Sequence, residues 1–256
     1  MLSAPPEFCG RGKIKTARDM TYSQKRFCVL TTGRAGSTAL MKALGKFEDI
    51  AVPSKNVTCP DEELLSPGRL QEYLRDYSRL CSEEVRTEEQ LIDSFFRCNA
   101  AFRFCGFKSM PERHKDYGAF VHMPGIQFIT LSRLDVASTV ASFIAAMKFK
   151  TWRRDGGAPA QKWTFRAGDD AGLVRGNLAY VYKSLLQLDA VPNAIRITYE
   201  DICEPDFQCA ALDNFFERRI RIENPKQPTR GQEYLTNWEE FRSYIDRTYA
   251  ELKART

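Results

Sequence analysis

Residues Arg26–Leu44 read RFCVLTTGRAGSTALMKAL, and this stretch decides the fold of the chain. Its first part, Arg26–Thr32, is apolar and rich in β-branched residues over the length of a short strand. Gly33–Gly36 follows as a turn, and from Ser37 onward apolar residues recur at helical spacing. The stretch therefore predicts a strand, a tight loop and a helix in direct succession.

The loop is suited to binding an anion such as phosphate or sulfate. A helix N-terminus presents unpaired backbone N–H groups and the positive end of the helix dipole. The glycines allow close approach, Ser37 and Thr38 add hydroxyl donors, and Arg34 adds a permanent positive charge. The Walker pattern GxxxxGK[ST] is not met, because Ser37 follows Gly36 where that pattern has lysine. An ordinary strand-to-helix turn with a surface arginine remains the alternative interpretation.

The composition indicates one α/β domain. The chain has 256 residues, of which 43% are hydrophobic and 12% aromatic, enough for one sizeable core. We expect residues 1–24 to be an N-terminal arm and residues 25–256 to form a single domain. The 38 Lys and Arg against 33 Asp and Glu leave a net charge of +5, which suits a small anionic ligand and predicts no nucleic-acid partner.

Cysteine usage and hydropathy bear on the compartment. The eight cysteines are scattered, with no CxxC pair and no histidine at metal-ligand spacing, so we predict reduced, mostly buried thiols and no metal. The sequence shows no apolar stretch of membrane-spanning length and no secretion-signal pattern at its start. We therefore expect a soluble cytoplasmic protein without a membrane partner.

Strands and helices alternate along the rest of the chain. Further strands are predicted at 50–52, 102–108, 126–132 and 194–199, and helices at about 67–81, 87–99, 135–148, 170–188 and 207–217, with a helical turn at 111–117 and a closing helix from 236. This alternation predicts an α/β fold with a central, mainly parallel sheet flanked by helices. Ligands of such folds gather at the carboxyl ends of the strands. The residues predicted there are Gly33, Arg34, Lys108, Arg133 and Tyr199.

A second polar segment is Phe128–Ser142. Arg133 follows the predicted strand, Asp135 begins the next helix, and Ser138 and Ser142 lie one turn apart on that helix. We predict that the serines lie opposite an inward-facing stripe made of Val136, Val140, Phe143, Ile144 and Met147. Alternatively, Arg133 pairs with Asp135 or caps the helix, and the serines form a solvated face.

Together the two segments resemble the sulfotransferases that use 3′-phosphoadenosine 5′-phosphosulfate (PAPS). TTGRAGSTAL is similar to their phosphosulfate-binding loop, and FITLSRLDVASTVAS is similar to the segment that grips the 3′-phosphate of PAPS. The resemblance implies the P-loop-NTPase-like sulfotransferase fold, with PAPS as donor and 3′-phosphoadenosine 5′-phosphate (PAP) as product. Ser142 lies nine residues after Arg133, as in the bacterial branch typified by trehalose and nodulation-factor sulfotransferases, whereas the cytosolic animal branch has its serine where this chain has Ala141.

The resemblance also implies roles for individual residues. FCGFKSMP resembles the segment that brings a lysine, here Lys108, to the donor. TYEDI resembles a strand end whose tyrosine, Tyr199, approaches the adenine, although packing under the sheet is an alternative. TRG at 229–231 is similar to a late phosphate-gripping loop without its usual lysines. The implied cofactor-binding residues are Arg34, Ala35, Gly36, Ser37, Thr38, Ala39, Arg133, Ser142, Tyr199, Arg230 and Gly231.

The implied reaction is in-line transfer of a sulfonyl group from PAPS to a hydroxyl or amine of a small polar acceptor, such as a sugar or natural product. Arg34 and Lys108 would stabilise the developing charge. A hydroxyl acceptor also calls for a base. The animal branch has a histidine where this chain has Met110, so the candidates are Glu63 first, then Glu62 and His114, each of which could equally be a solvated residue.

Acceptor contacts are expected in the irregular segments 51–66 and 149–168. The second segment offers Trp152, Arg153, Arg154, Trp163, Phe165 and Arg166 to cap a ring and meet an anionic group. It could equally be a lid or a contact in a homo-oligomer. Two other functions remain open: a P-loop nucleotide kinase or phosphotransferase, and a non-catalytic module that binds an anion or nucleotide.

Overall fold

The computed structural model describes residues 23–53, 63–66, 68–150, 161–222 and 231–255. Within these ranges the centre is a five-stranded, all-parallel sheet in the order β2-β3-β1-β4-β5. The strands are β1 (Lys25–Thr31), β2 (Ile50–Ala51), β3 (Phe104–Ser109), β4 (Ile126–Ser132) and β5 (Ile195–Thr198). The predicted α/β class with a parallel central sheet is confirmed.

Helices cover the sheet. They are α1 (Ser37–Gly45), α2 (Leu70–Cys81), α3 (Glu88–Cys98), α4 (Tyr117–Val121), α5 (Val136–Phe149), α6 (Ala167–Asp189), α7 (Tyr199–Cys203), α8 (Ala210–Phe216) and α9 (Trp238–Lys253). Their order is the predicted one, except that α4 and α7 were not predicted as helices. Short 3-10 helices cover Pro111–Arg113 and Gly231–Glu233. The prediction of a strand running to residue 199 is wrong, because Thr198 and Asp201 form a capping box that ends β5 and begins α7.

β1 is the central strand because its residues from Phe27 onward are buried on both faces. Successive side chains of a strand point to opposite faces. Accordingly Cys28 and Leu30 pack in a cluster with α2 and α3, whereas Phe27 and Val29 pack in a cluster with α1 and α8. A third cluster joins α5, α6 and α9. Helices therefore lie on both faces of the sheet.

The strand register brings the candidate residues to one edge. Leu30 lies beside Ser109, Thr31 beside Leu131, and Ser132 beside Thr198. The carboxyl ends of β1, β3, β4 and β5 are thus level with one another. The loop after β1, Lys108 near the end of β3, Arg133 after β4 and Tyr199 after β5 all belong to this edge.

Helix α5 differs from the predicted two-faced helix. Every residue from Val136 to Ala146 is buried, and Ser142 is only 2% exposed, so the serines do not form a solvated face. Met147, predicted to point inward, is 38% exposed. The sequence pattern located the apolar stripe, but small side chains such as Ala137 and Ala141 allow neighbouring elements to pack against the other side as well.

The aromatic residues before α6 also differ from prediction. Trp163 and Phe165 are buried in the third cluster, where both rings contact the ring of Phe241 edge to face. They are therefore part of the core and do not cap an acceptor. Arg166 is exposed, and Trp152, Arg153 and Arg154 lie outside the described residues.

The described thiols are all free, but fewer of them are buried than predicted. Cys28 and Cys105 are buried, whereas Cys98 is exposed and lies with its sulfur 3.3 Å from that of Cys81. In the described part of the chain, no helix combines the length and apolar character that a bilayer crossing requires.

Candidate anion-binding site

The loop between β1 and α1 contains two left-handed residues. Arg34 has φ 68° and Gly36 has φ 79°. For an arginine this conformation is uncommon and carries a cost that surrounding contacts must offset. At position 36 a Cβ atom would lie 2.7 Å from the ring of Tyr199. Both the backbone angle and the close ring therefore require glycine at this position.

Helix α1 begins without a side-chain cap. Gly36 is its N-cap residue and contributes only its carbonyl, which accepts hydrogen bonds from the N–H groups of Ala39 and Leu40. The backbone N–H groups of Ser37 and Thr38 lie in the first turn, where the helix dipole is positive. Left-handed residues in such a loop can turn successive N–H groups toward one anion. The arrangement suits a bound phosphate or sulfate group.

Arg34 connects this loop to α5. Its Nε donates a hydrogen bond to Oγ of Ser142 at 2.8 Å. The guanidinium has five N–H donors, so this bond orients a group that can serve further acceptors. The structure thus joins the two sequence segments, Arg34 from the first and Ser142 from the second, by a direct contact.

Arg133 is 2% exposed and lies against Tyr199. The guanidinium carbon is 4.7 Å from the centroid of the Tyr199 ring, in cation–π geometry. The same ring lies next to Gly36, as described above. Because arginine keeps its charge when buried, Arg133 supplies a permanent cation in a region of low dielectric constant.

Asp135 is the residue that caps α5. Its Oδ1 accepts a hydrogen bond from the Ser138 N–H at 3.0 Å, and its carbonyl accepts one from the Thr139 hydroxyl at 2.9 Å. A side-chain acceptor at this position satisfies an N–H group of the first helical turn. Asp135, not Arg133, is therefore the N-terminal cap of α5.

A second group of charged residues lies at the end of β3. Lys108 is buried, and its Nζ is 3.6 Å from Oε1 of Glu63. Nε of Arg113 is 3.9 Å from Oε2 of the same carboxylate. The backbone of Glu63 also forms a parallel bridge with Lys108. The structure thus brings the predicted base beside the predicted lysine, with Arg113 as an unpredicted third member.

His114 lies in a different environment. Its ring stacks on Phe120 with the centroids 3.5 Å apart, and its Nε2 is 2.8 Å from Oγ of Ser109. Burial lowers the pKa of His114 to about 4, so the ring is neutral at pH 7. Phe120 belongs to the cluster on the α2 and α3 face.

The late loop is described only from Gly231, because Arg230 lies outside the described residues, as does Glu62 in the earlier segment. Gly231 begins a 3-10 helix that packs beside α5, the helix that carries Ser142. The chain after it is fastened to the segment before α6. The N–H of Trp163 donates to the Tyr234 carbonyl at 2.8 Å, and the N–H of Phe165 donates to Oδ1 of Asn237 at 2.9 Å.

Besides Arg113, Glu200 and Thr32 at this edge were not predicted as site residues. The carboxylate of Glu200 accepts hydrogen bonds from the N–H groups of Leu134 and Asp135, each at 3.1 Å. The hydroxyl of Thr32 is buried and makes no hydrogen bond to the part of the chain that the structure describes. Glu200 lies in the TYEDI motif, but its partners are 65 and 66 residues away, so only the sheet topology could reveal them.

Among the described residues, no group of three or more His, Cys, Asp or Glu side chains is placed to hold a metal ion. The charged groups at this edge are chiefly the cations Arg34, Lys108, Arg113 and Arg133, which suit an anionic ligand.

Comparisons with known proteins give structural neighbours only. No family model and no curated protein matches the chain. Among solved structures it is similar to a sulfotransferase domain from the curacin biosynthetic pathway, with a TM-score of 0.47 and 14% identity over 91% of this chain and 99% of that one. It is also similar to a sulfotransferase from Alicyclobacillus acidocaldarius, with a TM-score of 0.46 and 15% identity over 91% of this chain and 95% of that one. Similarity at this sequence identity and TM-score does not assign a function to this chain.

Proposed function

We propose that this protein is a PAPS-dependent sulfotransferase that acts on a hydroxyl or amine of a small polar acceptor. One observation carries the proposal. The loop that resembles a phosphosulfate-binding loop and the segment that resembles a 3′-phosphate grip are in contact, through the hydrogen bond from Arg34 to Ser142. Tyr199, which the resemblance places near the adenine, has its ring next to both Gly36 and Arg133.

The two ends of the nucleotide are assigned from this arrangement. The N–H groups at the start of α1, with Arg34, bind the 5′-phosphosulfate. Arg133 and Ser142 bind the 3′-phosphate, and Tyr199 borders the adenosine. Position 142 of α5 carries a hydroxyl, whereas position 141 carries only a methyl group, which supports the register of the bacterial branch.

The proposed reaction uses Lys108, Arg34 and Glu63. The acceptor oxygen forms a bond to sulfur while the bond from sulfur to the bridging phosphate oxygen breaks, and PAP departs with that oxygen. Lys108 and Arg34 stabilise the charge that develops on the transferred group and on the leaving phosphate. Glu63, whose carboxylate lies 3.6 Å from the Lys108 amine, takes the proton of a hydroxyl acceptor. An amine with its own lone pair depends less on this base.

Calorimetric titration and a transfer assay test the proposal. We expect the wild-type protein to bind PAP in preference to ATP with magnesium, and to transfer labelled sulfate from PAPS to members of an acceptor panel. Lys108→Ala should retain PAP binding and lose most of its turnover, because the amine acts chiefly on the transition state. Preference for ATP would favour a kinase, and PAP binding without any transfer would favour a non-catalytic module. Either result would contradict the proposal.

A further inference from the structure

Glu200 makes an unusual contact for an acidic residue beside a site for anions. It is in the first turn of α7, and its two carboxylate oxygens accept from the N–H groups of Leu134 and Asp135 at 3.1 Å each. Hydrogen bonds to a carboxylate are stronger than those between neutral groups. Leu134 is 66% exposed, so this turn between β4 and α5 lies at the surface, where Glu200 fixes its backbone.

The turn that Glu200 holds begins directly after Arg133. The residue before Glu200, Tyr199, lies against the guanidinium of Arg133. Two consecutive residues of α7 thus hold this arginine, one at its side chain and the other through the backbone that follows it. The capping box of Thr198 and Asp201 in turn fixes the start of α7.

We propose that Glu200 is a positioning residue for the nucleotide, which acts by holding the Leu134–Asp135 backbone and thereby the anion-binding Arg133. This inference rests on the proposed function, because it assigns Arg133 to the 3′-phosphate. Glu200 itself does not contact the nucleotide. Its two hydrogen bonds engage the N–H groups of Leu134 and Asp135, the two residues that precede α5. In the proposed function the side chains of Arg133 and Ser142 bind the phosphate.

The direction in which Glu200→Gln changes PAP affinity distinguishes a positioning role from a purely electrostatic one. A negative charge near an anion site repels the anion, so a purely electrostatic Glu200 would weaken PAP binding, and Glu200→Gln would tighten it. A positioning residue gives the opposite result. Glutamine offers one oxygen acceptor and places an N–H₂ donor against the second backbone N–H, so the turn is held less well.

The experiment measures the dissociation constant for PAP by calorimetry, together with the free energy of unfolding of each variant. Glu200→Gln should weaken PAP binding about tenfold, as expected for losing one charge-assisted hydrogen bond of the anchor. Glu204→Gln, at the exposed end of α7, is the matched control and should bind PAP as the wild type does. Tighter or unchanged binding by Glu200→Gln would overturn the inference.

A double-mutant cycle tests whether Glu200 acts through Arg133. In the Arg133→Ala background, Glu200→Gln should change PAP affinity by less than about twofold, because the group that it positions is gone. An equal loss in both backgrounds would overturn the inference. In steady-state assays, Glu200→Gln should raise KM for PAPS and leave kcat at saturating donor nearly unchanged, a split that a generally loosened fold would not give. Wild-type protein that binds no PAP would instead refute the proposed function.

Should Glu200→Gln fold poorly, Glu200→Asp gives a milder test. It keeps both oxygens and the charge but shortens the side chain by one methylene. We expect PAP affinity between those of the wild type and of Glu200→Gln, again with kcat retained. Affinity equal to that of the wild type would show that the length and placement of the carboxylate do not matter, which would overturn the positioning role.

Discussion

Two charged regions share the carboxyl edge of the sheet, and they are built differently. The loop cluster consists of Arg34, Gly36, Arg133, Ser142 and Tyr199. A 2.8 Å hydrogen bond joins Arg34 to Ser142, and a cation–π contact joins Arg133 to Tyr199. Its loop also contains two residues in the left-handed conformation. The lysine cluster, made of Glu63, Lys108 and Arg113, has charged atoms 3.6 and 3.9 Å apart, and its glutamate and arginine side chains are 20% and 28% exposed. The loop cluster is thus fixed by direct contacts, whereas the lysine cluster has longer charge pairs and more solvent access; under the proposed function the first binds the nucleotide and the second takes part in the reaction.

The largest effect is expected in the lysine cluster. Glu63→Gln removes the proposed base, so turnover with a hydroxyl acceptor should fall by about 10²- to 10⁴-fold while PAP binding and the unfolding transition stay close to wild type. Glu89→Gln, an exposed glutamate on α3, is the control and should leave turnover unchanged. Full activity of Glu63→Gln would move the base to another residue.

The next prediction concerns His114, whose buried ring stacks on Phe120. Its folded pKa of about 4 lies below the ordinary value of 6.5, so between these pH values the unfolded chain binds more protons. Acidification from pH 6.5 to 4 should therefore destabilise the wild type by up to about 3 kcal/mol more than His114→Gln. Urea denaturation at several pH values measures this difference. If the unfolding free energies of the wild type and His114→Gln changed in parallel with pH, the ring would not be in a buried neutral environment.

A smaller effect is expected in the loop cluster. Arg133→Ala should weaken PAP binding by about 1 to 3 kcal/mol, because the proposed charge-assisted contact to the nucleotide would be lost. Arg221→Ala removes an exposed arginine and serves as the control in the same calorimetric titration. Equal affinities for wild type and Arg133→Ala would remove Arg133 from the nucleotide site.

The smallest expected change is in the unfolding free energy on replacing either of two glycines that share a positive φ. Gly36 and Gly125 have φ of 79° and 76°, but a Cβ at Gly36 would meet the Tyr199 ring whereas one at Gly125 would meet nothing within 4 Å. Alanine should cost about 1 kcal/mol of unfolding free energy at Gly125 and about 1 kcal/mol more at Gly36. Only Gly36→Ala should also weaken PAP binding. Equal costs at the two positions would mean that the ring does not constrain the loop.

The fold and the edge that holds the site were predictable because they depend on local pattern. The strand Ile126–Ser132 was predicted at its observed bounds, and Arg34, Lys108 and Arg133 were placed at strand ends by chain order alone. Burial was less predictable, because it depends on which elements cover a face. The serines of α5 and the ring of Trp163 are covered by segments distant in the chain.

Other features required the topology itself. The capping box at Thr198 was present in the sequence as TYED, but the alternating apolar residues before it suggested that the strand continued. The contact of Glu200 with Leu134 and Asp135 depends on β4 and β5 being neighbours. Strand pairing between segments so far apart leaves no signal in a single sequence.

The central position of β1 affects how the chain folds during its synthesis. This strand leaves the ribosome before β3 and β4, which flank it in the finished sheet. Until Phe104 and the residues after it emerge, both edges of an apolar strand lack partners, a state that invites association with other chains. Nascent chains are therefore expected to pass through a vulnerable interval that closes once β4 has been translated, and chaperone assistance would act in that interval.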